Sequence, residues 1–69
     1  MKFDIYGRFQ LDIHREGAAW AAYRTDAGKR VRIAELAIPP ALSADELAGY
    51  LDDVYHELAR AGDRVSRIG

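Results

Sequence analysis

The sequence contains no cysteine, one tryptophan and only two prolines among its 69 residues. Without cysteine the chain can form neither a disulfide nor a thiolate metal site. Domains of this length often rely on a disulfide, a metal or a partner subunit for stability. The remaining sources of stability are side-chain packing, association with another chain, or a metal site built from histidine and carboxylates.

Long apolar runs and a strong net charge are lacking too. No segment approaches the roughly 20 apolar residues that a membrane-spanning helix needs. The amino-terminal segment MKFDIYGRF has an acid at its fourth residue, which differs from a signal peptide. We therefore expect a soluble, cytoplasmic protein with no membrane partner. The net charge of −1 gives no general attraction to nucleic acid, which argues against that partner without excluding it.

Hydrophobic residues make up 49% of the chain and charged residues 30%, a composition typical of a folded globular domain. The charges are segregated along the sequence. Basic residues dominate 24–32, whereas 43–57 contains acidic residues and neither Lys nor Arg. We expect one small domain over residues 1–69 with distinct acidic and basic surfaces.

Residues 2–14 alternate between apolar odd positions and polar even positions, which predicts a strand with one buried and one solvent-facing side. Gly7 interrupts the buried side and indicates a bulge or a bend. The turn signals REG and TDAGK then separate two further strands, predicted at 18–24 and 30–34.

Ser43 followed three residues later by Glu46 forms a capping box, which predicts a helix from about 44 to 60 that ends near Gly62. A short tail, 63–69, either frays or adds an edge strand. Together these elements predict an α+β fold: a three-stranded antiparallel β-meander with one C-terminal amphipathic helix packed on its apolar face.

The segment YLDDVYHEL in the predicted helix places carboxylates near a histidine. On a helical wheel Asp45, Asp52 and His56 fall on the solvent side, opposite the apolar stripe. Two or three such ligands on an exposed helix bind metal weakly unless another element completes the shell. We favour an ordinary solvated helix face, and the sequence assigns no metal ligand, cofactor or catalytic residue.

The polar face of the sheet is the more informative surface. Tyr6 and Arg8 are predicted on it, and either Trp20 or Tyr23 joins them, because these two aromatics have opposite parity. An aromatic beside an arginine can stack a nucleobase, pack against another protein or stabilise the sheet itself. The last two interpretations are favoured equally, ahead of nucleic acid. The possible interaction surface comprises Tyr6, Arg8, Trp20, Tyr23, Arg24, Arg30 and Arg32.

The segments KFDIYGRF, W..YR, IPP.L and YLDD.YHELA resemble a small family of uncharacterised bacterial proteins over nearly the whole chain. The resemblance implies no assigned activity and adds no catalytic or binding residue. The chain also resembles antitoxins of HicB type, which join a small antiparallel sheet to a helix opened by a Ser/Thr–acid cap. Their Pro-Gly segment between sheet and helix is missing here.

The sequence thus predicts a non-enzymatic interaction module that forms a dimer through its sheet or binds an unidentified protein partner. Its few stabilising devices and its segregated charge motivate this prediction. The alternative is a nucleic-acid-binding or antitoxin-like regulator that uses the sheet face and the basic 24–32 region. A metal-assisted enzyme using Asp52 and His56 is the least favoured hypothesis.

Overall fold

A computed structural model of the chain describes residues 1–26 and 28–69. Five antiparallel strands form one sheet in the order β4-β3-β2-β1-β5. The strands are β1 (Lys2–Ile5), β2 (Phe9–Glu16), β3 (Ala19–Asp26), β4 (Lys29–Arg32) and β5 (Val65–Arg67). The α+β class holds, but the predicted three-stranded meander is wrong, because the sheet has two more strands.

One of the extra strands arises because the predicted strand 2–14 is a hairpin. The chain reverses at Tyr6 and Gly7, whose φ angles are 57° and 70°. The backbone N–H of Arg8 donates to the carbonyl of Ile5 at 2.9 Å. Two successive positive φ angles define a type I′ turn, the geometry that matches the twist of the flanking strands.

The alternating pattern gives no sign of this reversal, for a geometric reason. Ile5 pairs with Phe9 across the hairpin, and residues that pair directly share one face of a sheet. Because residues 6–8 are an odd number, the odd positions stay on the same face before and after the turn. The apolar alternation therefore continues unbroken through a change of chain direction.

The other extra strand comes from the predicted tail, 63–69. In it β5 pairs antiparallel with β1, with Val65 opposite Ile5. A turn brings the chain back to the sheet: Gly62 has a φ of 88°, and the Asp63 carboxylate accepts a hydrogen bond from the Arg60 N–H at 2.9 Å. The tail thus forms an edge of the sheet.

The predicted helix over 44–60 is shorter than expected. Its regular part, α1, spans Leu47–Tyr55, with 3₁₀ turns at Ala44–Glu46 and His56–Leu58. The Glu46 carboxylate accepts a hydrogen bond from the Ser43 N–H at 2.9 Å, as the capping box predicts. In the part of the chain that the structure describes, no helix is long and apolar enough to span a membrane.

The core lies between α1 and one face of the sheet. Leu47 and Leu51 are fully buried and α1 packs over β1 and β5. The sheet contributes the fully buried side chains of Phe3, Ile5, Leu11 and Ile13. On the opposite face Arg30 and Arg32 are 52% and 57% exposed. The sheet is therefore covered on one side and open to solvent on the other.

Candidate functional site

The candidate site is the side of the sheet opposite α1, which we call the open face. Strand pairing places Tyr23 of β3 between Asp12 of β2 and Arg32 of β4, all at one level. Directly paired residues share a face, so the even positions of β2 and β4 line this surface. Its central polar side chains are Asp12, His14, Glu16, Tyr23, Arg30 and Arg32.

Glu16 connects three strands of the open face. Its Oε2 accepts a hydrogen bond from the Tyr23 hydroxyl at 2.6 Å and lies 2.9 Å from His14 Nε2. Its Oε1 lies 3.4 Å from Arg32 Nη1. The bond from Tyr23, followed by the contact with His14, lowers the pKa of Glu16 below its usual range. Glu16 is therefore an anion at neutral pH.

Tyr23 is held at the centre by its ring as well as by its hydroxyl. The His14 ring stacks on it with centroids 5.3 Å apart and an interplanar angle of 7°. The Arg30 guanidinium lies 4.5 Å from the ring centroid, and Arg30 Nη2 is 3.2 Å from Asp12 Oδ2. The hydrogen bond to Glu16 raises the pKa of the Tyr23 phenol, which keeps it neutral.

Charge on the open face is ordered by strand. The acids Asp12 and Glu16 lie on β2, the bases Arg30 and Arg32 lie on β4, and Tyr23 lies between them on β3. These ion pairs are partly exposed, and such pairs contribute at most about 1 kcal/mol each to stability. The open face therefore presents acids, an aromatic and bases side by side on three neighbouring strands.

The structure divides the predicted interaction surface. Tyr23, Arg30 and Arg32 come together on the open face, whereas Trp20 and Arg24 lie on the side of α1. The Trp20 Nε1–H donates to the Leu42 carbonyl at 2.9 Å, so Trp20 anchors the segment that leads to the helix. The opposite orientation of the two aromatics agrees with their parity.

Tyr6 and Arg8 are not on the open face. Tyr6 is buried, and its hydroxyl donates to Asp52 Oδ1 at 2.5 Å, which ties the β1–β2 turn to α1. Burial, followed by this hydrogen bond, raises the pKa of Tyr6 to about 12. Arg8 is exposed in the loop that joins β1 to β2. The prediction for these two residues requires one continuous strand over 2–14, and the turn at Tyr6 and Gly7 interrupts that strand.

Tyr6→Phe should lower stability at neutral pH, because Asp52 loses its donor. A phenol whose pKa is higher in the folded than in the unfolded chain stabilises the fold below pH about 10. That contribution is lost as the pH rises through about 12. Denaturant melts from neutral to alkaline pH should therefore show the difference between wild type and Tyr6→Phe shrinking above pH about 10. A constant difference would contradict the role of the phenol proton.

The predicted interaction surface omits three members of the open face: Asp12, His14 and Glu16. The alternation over 2–14 places Asp12 and His14 on the solvent-facing side, but it does not bring them next to Tyr23; the pairing of β2 with β3 does. The predicted turn REG includes Glu16, yet Glu16 is the last residue of β2. The strand register, which sequence periodicity does not specify, determines its partners.

The acids and histidine of the predicted helix make other contacts. Asp52 accepts the Tyr6 hydroxyl, and His56 Nδ1 lies 2.7 Å from the carbonyl oxygen of Asp53. Within residues 1–26 and 28–69, no group of three or more His, Asp or Glu side chains is arranged to hold a metal ion. The geometry gives the metal-assisted hypothesis no support.

Fold and surface together define a small α+β domain whose sheet is covered on one side only and whose other side carries an ordered polar network. The whole chain, residues 1–69, matches the model of the family described as Domain of unknown function (DUF7661), and it belongs to that family. No curated protein and no solved structure matches it. The membership agrees with the resemblance to a family without an assigned activity.

Proposed function

We propose that the chain is a non-enzymatic interaction module that forms a homodimer by packing the open faces of two copies against each other. The observation that supports this is the order of charge across the face: acids on β2, Tyr23 on β3 and arginines on β4. Asp12, Tyr23 and Arg32 lie at one level. This arrangement is complementary to itself under one particular symmetry.

A two-fold axis that runs along β3, between the facing sheets, turns one copy over without shifting it along the strands. It sets β4 of each copy opposite β2 of the other. Arg32 then faces Asp12 of the second copy, and the two Tyr23 rings meet near the axis. An axis across the strands would instead set β4 on β4 and bring arginines together. Charge complementarity selects the first arrangement, since interfaces of closed dimers are self-complementary.

The side chains of the open face suit such a contact. Tyrosine and arginine are enriched among the residues that contribute most to binding, and His14 and Glu16 hold Tyr23 in one orientation. A fixed side chain loses less entropy when it is bound. Dimerisation also stabilises a fold by mass action, which benefits a domain of 69 residues without cysteine.

The proposal is tested by two single charge reversals, Asp12→Lys and Arg32→Glu. In each variant alone, like charges face each other across the axis at positions 12 and 32. Each should therefore dimerise at least about tenfold more weakly than wild type. A mixture of the two should form a heterodimer, because both of its Arg/Lys–acid contacts are restored. Sedimentation velocity measures all three samples, and circular dichroism checks that each variant is folded.

Tyr23→Ser tests the central contact. Introduced into the wild-type chain or into both members of the mixed pair, it should weaken dimerisation to a similar extent. A mixture that behaves as the sum of its two components would contradict the symmetry. Wild type that stays monomeric at every concentration would overturn the proposal as a whole.

A further inference from the structure

Besides the open face, a second exposed surface lies next to β4, on the side of the sheet that α1 packs against. Because α1 covers β1 and β5 and does not pack on β4, the sheet next to β4 forms a groove of about 490 Å³ on this side. Phe9 and Tyr55 form its wall, with ring centroids 5.3 Å apart in an edge-to-face contact. Val31, Ile33 and Leu58 complete the apolar lining. The charged residues of the lining are Arg24, Arg32 and Glu35. We call this the β4 groove.

Val31 gives the groove its exposed apolar rim. It pairs with Arg24 across β3 and β4, so its side chain points to the side of α1, away from those of Arg30 and Arg32. It is 54% exposed, although valine in a strand normally packs against a neighbour. The groove therefore begins directly at the edge of the sheet.

The edge itself has backbone groups available for pairing. β4 is the last strand of the sheet order. The Ile33 N–H donates to the Ala22 carbonyl at 3.0 Å, so the backbone of Ile33 faces β3. Backbone groups alternate in direction along a strand, so Val31 also faces β3, and Arg30 and Arg32 direct their N–H and C=O groups away from the sheet. Such groups form a template for another strand.

We propose that the edge of β4 and the β4 groove bind an extended segment of another protein in which acidic and apolar residues alternate. The segment adds a sixth strand to the sheet. Its backbone bonds to Arg30 and Arg32, its apolar side chains enter the groove beside Val31, and its acids lie next to the arginine side chains on the opposite face. This surface shares the Arg32 side chain with the dimer contact proposed above, but it does not depend on that contact.

The basic charge of β4 favours an acidic binding partner over a second copy of the chain. Three of the four residues of β4 are basic: Lys29, Arg30 and Arg32. A second copy paired edge to edge through β4 would set like charges directly opposite each other, which is destabilising. An acidic segment gains the same pairing with favourable charge. Strand addition draws its affinity from main-chain bonds and its specificity from alternate side chains, and both are present here.

The test uses a capped peptide of alternating glutamate and valine, with a lysine–valine peptide of equal length as the control. Binding is followed by NMR on the Tyr23→Ser variant, so that open-face association does not interfere. We expect the acidic peptide to shift the amide signals of Arg30 and Arg32, and the basic peptide to leave them unchanged. Failure of the acidic peptide to shift these signals, or equal shifts with both peptides, would overturn the proposal.

Two further comparisons separate strand addition from simple charge attraction. Methylating the peptide nitrogens along one edge should abolish binding, and methylating the other edge should preserve it. Val31→Asp should weaken binding about tenfold or more, whereas Val54→Asp should leave it unchanged, since Val54 is 44% exposed on α1 but does not line the groove. Equal effects of both methylations or of both substitutions would show that no strand is added.

Discussion

Leu51→Ala should destabilise the domain by about 2–5 kcal/mol, the range found for buried leucine truncations. Leu51 has no exposed surface and lies in the middle of α1, against the apolar face of the sheet. Removing three carbon atoms there takes away buried apolar area and leaves a cavity. A domain of this size has a total stability at the low end of the usual 5–15 kcal/mol, so the variant should be largely unfolded in moderate denaturant.

Two other positions on the same helical segment serve as controls. Val54 lies on the same side of the helical wheel as the buried Leu47 and Leu51 but is 44% exposed, and His56 is exposed. Val54→Ala and His56→Ala should each change the free energy of unfolding by less than about 0.5 kcal/mol. Denaturant melts of the three variants give the order directly. A larger loss for His56→Ala than for Leu51→Ala would show that α1 packs with a different face.

Gly7→Val should destabilise the domain by about 1–2 kcal/mol, the usual penalty for a side chain in the left-handed region. Gly7 has a φ of +70°, and a Cβ built there meets no atom within 4 Å. The penalty therefore comes from the backbone conformation and not from a clash. Valine is branched at Cβ, which makes a positive φ especially unfavourable. Thermal melts measure the loss.

Gly49→Ala is the matched control, because it adds a methyl group to a glycine of ordinary helical geometry. Gly49 lies within α1, and its added Cβ also meets nothing within 4 Å. Alanine should stabilise the helix there by about 1 kcal/mol. The two substitutions should thus have opposite signs. A stabilising effect of Gly7→Val would show that the β1–β2 turn adopts another conformation in solution.

The faces of the strands follow from sequence period alone. Phe3, Leu11 and Ile13 are buried as their alternation predicts, and Trp20 and Tyr23 lie on opposite faces as their parity predicts. Both results depend only on the two-residue repeat of an extended chain. That repeat reports which side a residue faces. It does not report where the chain turns, so the alternation over 2–14 predicts one strand where the structure has the β1–β2 hairpin.

The position of Tyr6 could not be predicted from the local sequence pattern. Its even position places it among the polar side chains of a continuous strand. In the structure it occupies a turn, and its hydroxyl reaches Asp52, 46 positions further along the chain. No periodicity connects residues so distant in sequence. The contact exists because the helix folds back over β1.

Local features follow from the sequence: the alternation of the strands, the capping box at Ser43 and the turns at Gly17 and Gly62. Each depends on the conformational preferences of a few adjacent residues. Three other features follow only from how the whole chain packs: β5 pairs with β1, α1 leaves the β4 groove uncovered, and Glu16 contacts His14, Tyr23 and Arg32. These are pairings between distant segments, and they are selected by how the whole chain buries its apolar surface while satisfying its backbone hydrogen bonds.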